Sequence, residues 1–306
     1  MHALVTGGAG FIGSHLVNKL LNLGSKVTII DNLSTGLQQN IHSDANFINL
    51  NLADLNFDNK IPDDTTHIFH LAAQSSAEIS FEDPVYDLRI NTLSTLKLLQ
   101  LSLKMKIKKF LYTSSMNVYG DIIDKPISEN HILKPSSFYG VCKLASENYV
   151  RVFSGLGLNG VCLRLFNVYG PGQNLNNLKQ GMISIYLSYI LNEKPIIVKG
   201  DLNRFRDFVF IDDVIDAFIQ SVNTDILYDS INICSGTKTT VNDLIKMIIK
   251  AFDLNDYPIE VKEGTPGDIY GIYGNPFKSK EIINWISKTS LKEGLNKTVE
   301  LYKKNN

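Results

Sequence analysis

Thr6-Gly7-Gly8-Ala9-Gly10-Phe11-Ile12-Gly13 lies between a short apolar run, Ala3 to Thr6, and a segment, Phe11 to Leu23, whose apolar residues recur at helical spacing. Its glycines fall as G-x-x-G-x-x-G at 7, 10 and 13. Gly7 permits a tight turn after the strand, Gly10 lets a pyrophosphate approach the backbone, and Gly13 lets the helix pack close. The free N–H groups at the helix start then face the anion. A glycine triplet alone is weak evidence, but here it has the strand-loop-helix setting that the motif requires. Gly24 stops the helix, Lys26 to Ile30 reads as the next strand, and Asp31 ends it. A carboxylate at that place accepts both hydrogen bonds of an adenosine ribose diol and repels a 2′-phosphate, which favours NAD over NADP. Asn32 to Gly36, with Ser34 at its centre, is placed to close over the same ribose.

The alternation continues beyond this unit. Phe47 to Leu50, His67 to Leu71 and Phe110 to Thr113 read as strands, and Val85 to Leu103 and Tyr139 to Phe153 as helices. Apolar strands alternating with helices predict the α/β class, a Rossmann-type, doubly wound parallel sheet covered on both faces. After about residue 165 the rhythm changes. Gly, Pro and Asn cluster in Asn167 to Leu178, and helical spacing returns near Met182 to Leu191, Asp212 to Val222, Val241 to Phe252 and from Leu291. The expected organisation is a NAD-binding domain over 1–165 and a smaller C-terminal substrate-binding domain over 166–306. Phe208 to Ile211 and Ile231 to Cys234 look like strands able to return to the first sheet.

A chain of 306 residues at ~150 residues per domain makes one large or two modest domains. Lys and Arg total 30 against 31 Asp and Glu, a formal net charge of −1. That balance argues against nucleic acid or anionic lipid as partner, yet leaves room for a local anion pocket. Cys142, Cys162 and Cys234 are odd in number and far apart, so neither a disulfide framework nor a metal site is expected. No apolar run approaches the ~20 residues that span a bilayer. Met1-His2-Ala3-Leu4-Val5 leads straight into the glycine loop without a secretion segment. The expected setting is the reducing cytoplasm.

Tyr139-Gly140-Val141-Cys142-Lys143 puts a phenol and an ammonium on one face of a predicted helix. A nearby ammonium favours the phenolate, so Lys143 is expected to lower the Tyr139 pKa and make it a general base. The pair alone is common on solvated helix faces. Upstream, Tyr112-Thr113-Ser114-Ser115 ends a strand at the carboxyl edge, where ligands of open α/β sheets sit. Ser115 is the candidate to hydrogen-bond a reacting hydroxyl and pass its proton to Tyr139, although serines here also serve ordinary turns.

Together these residues resemble the extended short-chain dehydrogenase/reductase family, in particular its nucleotide-sugar epimerases and dehydratases of the UDP-glucose 4-epimerase type. The resemblance spans nearly the whole chain: T-G-G-A-G-F-I-G, D-N-L-S-T-G from Asp31, His70-Leu71-Ala72-Ala73, Asn91, the Ser115/Tyr139/Lys143 set, R-L-F-N-V-Y-G-P-G-Q from Arg164, R-D-F-V-F-I-D-D-V from Arg206, and Pro266-Gly267-Asp268. It implies a tightly held NAD and a nucleoside-diphosphate sugar oxidised at C4. It adds Leu71, Ala72, Ala73 and Asn91 to the cofactor set of Gly7, Gly10, Phe11, Ile12, Gly13, Asp31, Asn32, Ser34 and Gly36, with Tyr139 and Lys143 shared. It places Asn167 and Arg206 at the substrate diphosphate, with Asp268 nearby, and treats Arg164 as structural. It also implies a homodimer, paired through the helices at Val85 to Leu103 and Tyr139 to Phe153.

The sub-class turns on the two residues after Ser115. The 4,6-dehydratases carry an Asp-Glu pair there and related decarboxylases a Glu; here the places hold Met116 and Asn117, neither able to exchange a proton near neutral pH. The Ser, Tyr and Lys that remain are the epimerase complement. The expected activity is a NAD-dependent nucleotide-sugar 4-epimerase. The alternatives are a net 4-dehydrogenase or reductase on a GDP- or other sugar nucleotide, a 4,6-dehydratase, which Met116 and Asn117 oppose, and a non-catalytic NAD-binding regulator, which the intact Ser115, Tyr139 and Lys143 oppose. UDP is the commonest nucleoside diphosphate among such epimerases, with GDP, CDP and dTDP open. Three departures from the family pattern stand out. Asn51, beside Leu52, replaces the acid that contacts adenine. Thr265 replaces an arginine before P-G-D, with Arg204 the candidate substitute. Cys142 stands where Ser is frequent, which points to packing. Gly271 to Gly274 and Leu175 to Ile190 are expected to wall the sugar and base.

Overall fold

The computed structural model describes residues 1–121, 125–264 and 267–305. Seven strands form the central sheet: β1 (His2–Thr6), β2 (Lys26–Asp31), β3 (Asn46–Asn49), β4 (His67–His70), β5 (Lys109–Ser115), β6 (Gly160–Leu165) and β7 (Tyr228–Ile233). All pairs are parallel, in the order β7-β6-β5-β4-β1-β2-β3. The order reverses between β1 and β4, and in open parallel sheets a ligand crevice opens at such a switch point.

The strand residues alternate between two cores, as the period of a strand requires. Ala3, Val5, Ile29, Phe69 and Leu111 face one core with Leu16, Leu20 and Phe218, from helices Phe11–Asn22 and Ile211–Val222. Leu4, Ile30, Ile68 and Phe110 face the other, with Leu98, Leu99 and Val150 from helices Ser94–Lys104 and Phe138–Gly155. Both faces are apolar, so helices must cover both.

Tyr228–Ile233 does rejoin the sheet, beside β6, whereas Phe208–Phe210 pairs in parallel with Asn167–Tyr169 in a two-stranded ribbon. Two further short pairs, Phe205–Arg206 with Thr239–Thr240 and Ile196–Lys199 with Ile259–Lys262, complete the later region. The helix expected over Val85 to Leu103 is interrupted. Pro84–Leu88 and Ser94–Lys104 are α-helical, and Arg89–Leu93 between them is a π turn. There the Asn91 carbonyl accepts from the hydroxyls of Thr95 and Ser146, both at 2.8 Å, which rewards a wider turn than the α-helix. Among the described residues, no helix is long and apolar enough to cross a membrane.

Candidate functional site

At the carboxyl ends of the strands lies a cavity of about 510 Å³, and the glycine loop forms one wall. Gly7 has φ +71°, and a Cβ there would stand 2.7 Å from the Ala72 backbone nitrogen. A Cβ on Gly13 would stand 2.1 Å from the Gly7 carbonyl oxygen, so only glycine lets the helix begin this close. Gly10 caps that helix without a side chain, and its first turn holds no acidic residue. The helix start therefore presents unpaired N–H groups and the positive end of its dipole to the cavity. Asp31 stands on the same wall, its Oδ2 accepting from the Ala9 N–H at 3.0 Å and its Oδ1 from the Leu33 N–H at 2.8 Å. Each oxygen keeps a lone pair for a diol. Phe11, Ile12, Asn32, Ser34, Gly36, Asn51, Leu52 and Leu71 to Ala73 line this cavity too. An uncapped helix start with a carboxylate at the end of the second strand fits a dinucleotide without a 2′-phosphate.

β5 ends in Ser114 and Ser115. Helix Phe138–Gly155 starts at Ser137, whose hydroxyl accepts from the Gly140 N–H at 3.1 Å. Its first turns carry Tyr139 and Lys143, both buried, and both share the cavity wall with Ser115. Lys143 Nζ donates to the Thr113 carbonyl at 2.8 Å and lies 5.7 Å from the Tyr139 ring centre. Burial pushes the Tyr139 phenol up to about 12; a hydrogen bond from Ser115 opposes the rise and the Asp87 charge adds to it. Burial drives the Lys143 ammonium down to about 8, with Asp87 the first of the anions opposing that fall. Burial outweighs the lowering expected of Lys143, so the net shift of Tyr139 is upward. Desolvation dominates both groups, so a phenolate at this place requires further positive charge beside it.

A second cavity, of about 210 Å³, adjoins the first and shares Met116, Asn117 and Asn167 with it. Arg206 and Asp268 line this smaller cavity, and Arg204 lines neither. Both guanidiniums meet the Asp268 carboxylate, Arg206 Nη2 at 2.7 Å from Oδ1. Arg206 also donates to the carbonyls of Phe205 at 2.8 Å and Tyr270 at 3.2 Å. The substitute role expected of Arg204 is therefore not one the geometry offers. Thr265 and Pro266 lie outside the described residues. Asn177 and Gln180 to Ser184 wall the larger cavity as expected, but Gly271 to Gly274 do not, because Gly271 is bridged to Phe205 and Gly274 to Ile127. Asn91 is also off the wall. It is buried behind it, its amide donating to the Gln74 carbonyl at 3.0 Å and to Asp87 Oδ1 at 2.9 Å.

The model of the NAD-dependent epimerase/dehydratase family matches residues 3–234. The chain belongs to that family. It is 38% identical to a putative UDP-glucose 4-epimerase of Methanocaldococcus jannaschii over 99% of each chain. Its fold is similar to that of the UDP-glucose 4-epimerase of Thermotoga maritima with UDP-glucose, at TM-score 0.94 and 36% identity, covering 100% of this chain and 99% of that one. It is also similar to the UDP-glucuronic acid 4-epimerase of Bacillus cereus in complex with UDP-glucuronic acid and NAD, at TM-score 0.91 and 28% identity, covering 100% of both chains.

In this member of the epimerase/dehydratase family, two groups around the site belong to none of the motifs legible in the sequence. Gln74, Ser75 and Ser76 line the cavity just past Ala73, and their place after a strand end was the available signal. Glu147 accepts from Ser114 Oγ at 2.5 Å and takes both Nε and Nη2 of Arg164, at 2.9 and 2.7 Å. It lies one turn beyond Lys143 on the same helix face. Arg164 is thus structural, as expected.

Proposed function

We propose that the protein is a NAD-dependent nucleotide-sugar 4-epimerase acting on UDP-hexoses. The observation that carries this reading is that Ser115, Tyr139 and Lys143 share one cavity with the glycine loop and Asp31. The UDP-sugars named with its relatives from T. maritima and B. cereus support the choice of base. NAD, bound at the glycine loop, supplies the hydride acceptor and donor for C4. The uncapped helix start receives its pyrophosphate, and Asp31 takes the adenosine ribose diol. Ser115 orients the C4 hydroxyl of the sugar, and the Tyr139 oxygen takes its proton and later returns it. Lys143 holds the nicotinamide ribose and stabilises the phenolate. Asn167 and Arg206, which line the smaller cavity, are the candidates for the substrate diphosphate. Met116 and Asn117 offer no group to remove water across C5 and C6.

The test is incubation with UDP-, GDP-, dTDP- and CDP-hexoses, with NMR reading C4 configuration and absorbance reading NADH. Inversion at C4 without net NADH is expected. An accumulating 4-keto sugar would make the protein a dehydrogenase, and loss of water would overturn the reading of Met116 and Asn117.

The assembly we propose is a homodimer. Val85 is 74% exposed, and Val141 and Val152 are each 52% exposed on the helix that carries Tyr139, which gives these adjacent elements apolar side chains for a partner to cover. We place the protein in the cytoplasm, in keeping with three buried free cysteines.

A further inference from the structure

Asp87 sits behind the cavity wall on the short helix Pro84–Leu88, with none of its surface exposed. Its Oδ1 accepts from Gln74 Nε2 at 2.8 Å and from Asn91 Nδ2 at 2.9 Å. Gln74 comes just after the cofactor-side strand end and lines the cavity, so this oxygen fixes a wall of the site to the π turn. Its Oδ2 is buried with no partner in hydrogen-bond geometry among the described residues; burial pushes this carboxyl's pKa up, and the Cys142 thiol, Gln74 and the Lys143 charge hold that rise back. The helix that carries Asp87 packs against the one that carries Tyr139, Cys142 and Lys143, close enough for its charge to bear on all three.

The other groups around Lys143 leave it little support. On its own helix, Glu147 is matched by the forked Arg164 contact. Burial holds the thiols of Cys142 and Cys162 and the phenol of Tyr112 in their neutral forms, and on β4 it keeps His70 uncharged. Asp87 is the carboxylate near Lys143 without a guanidinium or ammonium in ion-pair contact, among the described residues. An orphaned buried carboxylate is costly, and positive charge nearby, here Lys143, favours its ionised form.

We propose that Asp87 is a positioning residue of the reaction: one oxygen braces Gln74 and Asn91 at the cavity wall, and the unmatched charge holds Lys143 as an ammonium beside Tyr139. The inference rests on reading Tyr139 and Lys143 as the acid–base pair. Its sign is definite. Removing an anion makes a neighbouring ammonium easier to deprotonate and a neighbouring phenol easier to ionise, so both transitions move to lower pH.

The test uses NAD-loaded protein. Tyrosinate absorbance is titrated against pH, with the Tyr139→Phe protein subtracted to isolate Tyr139, and the pH profile of kcat is recorded in parallel. Asp87→Asn is expected to move the Tyr139 transition and both limbs of the profile down by about one pH unit, and Asp87→Glu to restore them. A lowered kcat with every transition in place would reduce Asp87 to a structural bracket and overturn the proposal. If Asp87→Asn does not fold, the Asp87 carboxyl carbon-13 resonance, assigned by its absence from Asp87→Glu, decides the matter at neutral pH. An ionised signal supports the role and a protonated one refutes it. A wild type that turns over no nucleotide sugar would sink the epimerase reading and still leave the tyrosinate titration to judge Asp87.

Discussion

Tyr139 is buried, and burial alone makes its phenol a weaker acid, with a value of about 12. Its use as a base therefore depends on charge brought to the cavity. In the proposed mechanism Tyr139 takes the sugar proton, and Tyr139→Phe removes that group. It should lower kcat by about 10³-fold while leaving the folded protein and its bound dinucleotide intact; near-normal turnover would remove Tyr139 from the mechanism. Lys143 carries a cost in the cofactor-free protein. Its folded-state value of about 8 lies below the ordinary 10.5, so between those values the unfolded chain holds the proton more tightly and stability rises with pH. Below pH 8 the full cost of burying the ammonium is present. Lys143→Met should accordingly be more stable than the wild type at neutral pH, by about 3 kcal/mol at most. The gap should close as pH climbs from about 8 to about 10.5, and urea unfolding at several pH values reads it directly. Both residues were legible in the sequence from their spacing. The direction of the Tyr139 shift was not, because it depends on how deeply the helix is buried, which no local pattern records.

The elements that hold these side chains are locked by one buried network. Ser114 at the end of β5, Glu147 on the catalytic helix and Arg164 on β6 are joined by hydrogen bonds, and Arg164 Nη1 reaches the Tyr119 hydroxyl at 2.8 Å. Arg164 and Glu147 side chains are only 5% and 3% exposed. Removing one partner leaves a buried charge unmatched, so Glu147→Gln should cost about 3–5 kcal/mol, seen as a lower urea midpoint with an unchanged slope. The β1-loop-helix unit and the strand that ends at Asp31 were legible because strict apolar patterning and glycine chemistry act locally. The strand Gly160–Leu165 was not recognised, since Arg164 interrupts its apolar run and is made burial-compatible by the distant Glu147 and Tyr119. The break at Arg89–Leu93 also escaped the pattern. There the Asn91 carbonyl accepts from Thr95 on the next helix and from Ser146 on a helix distant in sequence, and the second contact leaves no local pattern.

At the scale of the whole molecule, the larger cavity opens at the switch point of one sheet, and the second cavity lies between segments from before and after residue 165. Part of that later region, Tyr228–Ile233, is a strand of the first sheet. Such a return was readable as apolar character but not as register, because the pairing partner is long-range. The exposed apolar side chains of Val85, Val141 and Val152 predict a dimer by sedimentation at micromolar concentration, and Val141→Glu together with Val152→Glu should shift it to monomer without loss of fold. The central claim, transient oxidation at C4 with return of the same hydride, is tested most directly by a UDP-galactose bearing deuterium at C4. The account predicts UDP-glucose in which C4 is inverted and the deuterium remains on it. Deuterium lost to solvent, or product that keeps its C4 configuration, would contradict it.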